Sequence, residues 1–75
     1  MNTAENKKLP EDILGLDPTL VDMLRNDFEL YLKKTVKNIS HEDLVRRKLV
    51  TGEYTSLYTR YAWASWLYCY NEYVA

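Results

Sequence analysis

Apolar residues recur at helical spacing over most of this chain, and polar punctuation cuts the pattern into four stretches. Leu20, Leu24, Phe28, Tyr31 and Thr35 follow one another at intervals of three or four, with Val21 and Leu32 alongside. Asp22, Asp27, Glu29, Lys33, Lys34 and Lys37 fall largely on the remaining faces. Asp17-Pro18 opens this stretch, the carboxylate placed to accept free amides and the proline at a position where no amide is needed. The acids come early and the lysines late, as a helix dipole prefers. The spacing predicts a helix over about 18–37.

The other three stretches are shorter or more aromatic. Ser40 stands as an N-cap, Asp43 takes the capping-box position, and Ile39 and Leu44 occupy the two staple positions. Leu44, Val45, Leu49 and Val50 then extend a helix over about 41–50, which Gly52 stops. Thr55 or Ser56 caps a last helix over about 55–73. Leu9 to Leu16 holds one helical turn at about 10–14, with Pro10 at its start and Gly15 as its stop. Residues 1–8 read as a disordered polar lead, and 9–75 as a single helical domain. Tyr, Trp and Thr favour strands. Strict alternation nevertheless fails at Ala62, Ala64 and Leu67, and no second strand is available to pair with. The expected fold is all-α: a small three-helix bundle, its sequential helices antiparallel because the connections are short.

Eight of the ten aromatic residues lie between Tyr54 and Tyr73. At about 100° per residue they fall into two stripes. One stripe carries Tyr54, Tyr58, Tyr61, Ala62, Ser65, Tyr68 and Cys69, and the other Trp63, Trp66, Tyr70 and Tyr73. Two neighbours in a bundle account for two stripes along the first half of the helix. Length decides the second half: a ten-residue neighbour is about 15 Å long, against about 28 Å for the last helix. Large aromatics bury roughly 150–250 Å² each. Three left uncovered would therefore rival the largest patch of an ordinary monomer, about 300–600 Å². Tyr and Trp also dominate interface hot spots. Trp63, Trp66, Tyr70 and Tyr73 are accordingly the candidate partner-contact residues.

Composition narrows the functions. Ten basic against eleven acidic residues leave a net charge of -1, which opposes a general electrostatic grip on nucleic acid or anionic membrane. The run Arg46-Arg47-Lys48 is a subordinate candidate for nucleic-acid contact, with Lys33, Lys34 and Lys37 in support; cations in a helix's last turn account for it equally. Cys69, the only cysteine, excludes an intrachain disulfide and reads as a packing residue. His41, the only histidine, reads as a solvated residue at a helix start. No metal-ligand spacing, phosphate loop or catalytic constellation appears, so neither an enzyme nor a metal or cofactor is expected. The polar start and the lack of a long apolar run predict a soluble, cytoplasmic protein with no membrane partner.

Gly52-Glu53-Tyr54 followed by Ala62-Trp63-Ala64-Ser65-Trp66 resembles a pattern of small bacteriophage accessory or early proteins, in which a Gly-acid-Tyr turn leads into a helix carrying Ala-Trp-x-x-Trp. The resemblance covers about the last third of the chain. Leu67-Tyr68-Cys69-Tyr70 stands where basic residues usually follow the second Trp. The resemblance implies interference with a host protein, such as a defence complex, a polymerase or another enzyme. The expectation is a non-enzymatic protein-interaction module that inhibits or redirects such a host protein through its aromatic helix. The alternatives are a helical homo-oligomer with a structural or regulatory role, and then a nucleic-acid-binding regulator.

Overall fold

Local capping chemistry sets most of the helix boundaries in the computed structural model, which describes residues 9–73. The expected disordered lead, 1–8, lies outside the described residues. Helix α1, Pro10–Leu14, starts at a proline and ends at Gly15, whose positive φ of 67° is the left-handed conformation that favours glycine. Helix α2, Pro18–Thr35, is capped by Asp17, whose carboxylate accepts from the amides of Thr19 at 2.9 Å and Leu20 at 3.3 Å. Helix α3, His41–Val45, is capped by the Ser40 hydroxyl, which accepts from the Asp43 amide at 3.2 Å. Helix α4, Leu57–Tyr73, follows Ser56, whose hydroxyl accepts from the Thr59 amide at 3.3 Å.

The fold is all-α, with four helices among the described residues. The third helix differs from expectation, ending at Val45 rather than about 50. Arg46 turns extended at φ -65°, ψ 137°, and residues 46–55 form a short hairpin arm. The Lys48 amide donates to the Glu53 carbonyl at 2.8 Å, the Gly52 amide to the Lys48 carbonyl at 2.8 Å, and the Thr55 amide to the Arg46 carbonyl at 3.0 Å. A single antiparallel bridge joins Arg47 to Tyr54, and Gly52 turns the arm with φ 79°. The physical reason is Tyr54. Its ring is 1% exposed. A helix continued past Val45 would give up the arm's bridge and hydrogen bonds, which bring that ring to the core. Tertiary burial here overrides a helical propensity worth only tenths of a kcal/mol per residue.

Two long helices, α2 and α4, pack on each other, with α1 against α4 and α3 against α2. The core takes Val21, Phe28 and Leu32 from α2, Leu44 from α3, Tyr54 from the arm, and Trp63 and Leu67 from α4. Ile39 stays exposed, so only Leu44 of the expected staple pair is buried. His41 is half-buried rather than solvated, and its Nδ1 is buried without a hydrogen-bond partner among the described residues. Among the described residues no helix is long and apolar enough to cross a membrane.

Candidate functional site

Helix α4 presents two different flanks. On one, α1 delivers the Glu11 carboxylate into the core, where Oε1 accepts from the Trp63 indole N–H at 3.0 Å and Oε2 from Arg25 Nη2 at 2.8 Å. The Arg25 guanidinium lies 4.5 Å from the Trp63 ring centroid and 5.3 Å from that of Tyr54. Its Nη1 is buried without a hydrogen-bond acceptor among the described residues, and the two ring faces supply part of what an acceptor would. The Tyr54 hydroxyl donates to Glu29 Oε2 at 2.7 Å. Burial, then this hydrogen bond to a carboxylate, holds the Tyr54 hydroxyl protonated well above its ordinary pKa of 10.0, while the Arg25 charge acts the other way. Arg60 donates through Nε and Nη2 to the Tyr54 carbonyl at 3.2 and 3.1 Å. A recess of about 230 Å³ remains at this flank, where the arm's Gly52, Glu53 and Tyr54 meet Tyr61 and Ala64 of α4.

Among the described residues, the other flank is open. A groove of about 600 Å³ runs between the two long helices. Helix α2 contributes Leu24, Asp27, Phe28 and Tyr31. Helix α4 contributes Tyr58, Ala62, Ser65, Trp66, Cys69 and Tyr70. Trp66 stands over Phe28 and Tyr31, with ring centroids 5.4 Å away in both cases. Asp27 is the one charged group in a lining that is otherwise aromatic, aliphatic or weakly polar. Small side chains at Ala62 and Ser65 leave the space that bulkier neighbours would fill.

Of the four candidate contact residues, Trp63 is corrected. It is 3% exposed and hydrogen-bonded to Glu11, so it belongs to the core and not to an outer surface. Trp66 and Tyr70 are half-buried and line the groove, and Tyr73 is 85% exposed one turn further on. Of the other stripe Tyr58, Tyr61 and Tyr68 are exposed, Ala62 is half-buried and Tyr54 is buried, while the core-facing line of α4 is Thr59, Trp63 and Leu67. Cys69, expected to pack, is exposed at the groove. The cations Arg46, Arg47 and Lys48 lie in the arm rather than in the last turn of a helix. Arg46 pairs with Asp43 at 3.2 Å and Lys48 with Glu53 at 3.3 Å, so acids beside them offset two of the three charges.

Sequence reasoning missed the Glu11–Arg25–Trp63 node and the contribution of α2 to the groove. A signal for the node existed: Arg25 stands four residues after Val21 and three before Phe28, on the buried stripe of α2. A cation there requires a partner. Comparison of the chain with protein-family models, with curated proteins and with solved structures finds no match.

Proposed function

We propose that this chain is a small non-enzymatic binding module that receives a segment of another protein in the groove between α2 and α4. The observation that carries this reading is the groove itself: about 600 Å³, walled by Phe28, Tyr31, Trp66 and Tyr70, with nothing among the described residues closing over it. Tyr58 to Tyr70 extend over about 18 Å of α4 and Leu24 to Tyr31 over about 10 Å of α2, which suits two or three turns of a partner helix. Half-buried Trp and Tyr provide large apolar contact at low entropic cost, and the polar lip left by Asp27, Ser65 and the tyrosine hydroxyls sets orientation.

The resemblance of the last third to small phage proteins carries the narrower reading, in which the partner is a host protein that the module inhibits or redirects in the host cytoplasm. Direct groove contact comes from Trp66 and Tyr70, with Tyr73 extending the surface. Nucleic-acid contact through Arg46, Arg47 and Lys48 ranks below this, since two of those cations are already paired. The test is affinity capture from bacterial lysate with wild type, Trp66→Ala and Ser65→Arg. Ser65 is exposed, so an arginine there fills the groove while the core stays untouched. A host protein retained by wild type and lost by both variants, at unchanged helical content, is the expected result. Host proteins retained equally by all three would rule the groove out.

A further inference from the structure

The hairpin arm carries a second surface that the described residues leave uncovered. Leu49 and Val50, at its tip, are 102% and 96% exposed. Single exposed aliphatics are ordinary. An adjacent pair held away from the protein by the arm's three backbone hydrogen bonds is different, because the turn is fixed and its apolar end has nothing to pack on among the described residues. The tip is aliphatic, and of the three cations leading into it Arg47 is the one with no acid paired to it among the described residues, Arg46 and Lys48 being held by Asp43 and Glu53. The groove is apolar and has Asp27 in its lining. The two surfaces are therefore complementary in both hydropathy and charge.

They cannot meet within one molecule. The arm packs where Tyr61 and Ala64 line the smaller recess, whereas the groove takes Ala62 and Ser65. Ala62 and Ala64 point about 200° apart around α4, so tip and groove lie on opposite flanks. We propose that the Leu49–Val50 tip of one copy docks into the α2/α4 groove of a second copy. The inference goes beyond the function proposed above: the occupant is this chain itself, and a second copy and a foreign segment compete for the one groove. Such a contact is head-to-tail: each junction leaves a free groove at one end and a free tip at the other, so it propagates or closes into a ring rather than stopping at a symmetric pair. One tip in one groove buries less than the roughly 1,200–2,000 Å² of a stable interface, so association is weak and depends on concentration. A bilayer is the less favoured occupant of the tip. Charges from Glu42 to Glu53 cancel, and a membrane responds to charge summed over about a Debye length, whereas a docked tip meets Asp27 at short range.

The experiment is a complementation. Sedimentation velocity follows the wild type, a tip variant (Leu49→Asp with Val50→Asp) and a groove variant (Ser65→Arg). Both sites are exposed, so folding should survive, and circular dichroism checks it. The wild type should show mass rising with concentration, and each variant alone should weaken association by roughly 10²–10⁴-fold, the worth of burying two aliphatic side chains. Mixed together, the two variants should give one-to-one dimers and nothing longer, since only one good junction can form. Alkylation of Cys69, which lines the groove, should slow in that mixture. A wild type monomeric to millimolar concentration, self-association retained by either variant, or a mixture that stays monomeric would each overturn the proposal. So would loss of binding to anionic phospholipid vesicles on changing the tip while self-association persists. The tip variant keeps its groove, so capture of a foreign protein by it separates failure here from failure of the function proposed above.

Discussion

Trp63 and Trp66 stand one helical turn apart on α4, and the molecule treats them differently. Trp63 is enclosed on every side, its N–H bound to Glu11 and its ring under Arg25 and 5.2 Å from Phe28. Trp66 touches the same Phe28 from the groove side, donates no hydrogen bond among the described residues, and keeps part of its ring in solvent. The difference lies less in the helix than in what reaches it. Helix α1 and the arm close over one flank, and nothing among the described residues closes over the other. Where that cover falls separates core from surface.

Truncation to alanine should break the symmetry of the pair most sharply. Trp63→Ala is expected to cost about 3–5 kcal/mol, the range for a buried large aromatic. Folding stability for a chain of this length is roughly 4–11 kcal/mol, so that loss leaves little margin. Trp66→Ala should cost about 1.5 kcal/mol, the low end for an apolar side chain only partly removed from water. Urea denaturation of both variants measures the gap. Equal losses would mean that the groove is simply more core.

Next comes the group that makes Trp63 internal. Glu11 is buried, and its partner Arg25 is largely covered, with 14% of its side chain exposed. Removing one member of such a pair leaves an uncompensated charge inside the protein, and Glu11→Ala should lose about 3 kcal/mol. Asp12→Ala, one position along on the exposed face of α1, should stay within about 0.5 kcal/mol. Thermal melts of the two variants make the comparison. Similar small losses would show that α1 rests on the core without holding it.

Much of this arrangement was legible in the sequence, and the misses share a cause. Asp17, Ser40 and Gly15 act through backbone neighbours within a few residues, so a local pattern was enough to place them. Tyr54 and Glu11 act at a distance. The hydroxyl of one reaches Glu29, and the carboxylate of the other reaches Trp63, fifty-two positions away. Local spacing made Tyr54 look like part of the last helix and kept Arg46 to Val50 helical, because nothing nearby says that an aromatic ring must be lifted into the core. The aromatic surplus of α4 was visible, but not which stripe would be covered. Periodicity gives faces; the placement of α1 and the arm decides which face is outside. The groove is half visible for the same reason: spacing marks Trp66 and Tyr70 as surplus aromatics of α4, while it gives Leu24, Phe28 and Tyr31 of α2 only as one helical face.

The smallest effect is the most specific to the buried flank, because it depends on pH. Tyr54→Phe removes one hydrogen bond to a carboxylate that is itself only half-buried, so at neutral pH it should cost about 1 kcal/mol. In the folded chain the Tyr54 hydroxyl holds its proton well above the ordinary value of 10.0, through burial first and Glu29 second. Below pH 10 the hydroxyl is protonated in both states, and its contribution is fully present and flat. Above pH 10 the unfolded chain releases this proton while the folded chain keeps it. Wild-type stability then falls by up to about 1.36 kcal/mol per pH unit, a slope the phenylalanine variant lacks. Wild type and variant should therefore converge between pH 10 and 12 in urea denaturation, and then cross. Subtracting one curve from the other removes the titration of every other tyrosine and lysine. A difference that stays constant across that window would mean Tyr54 loses its proton as readily folded as unfolded, and the buried flank would then be no drier than the groove.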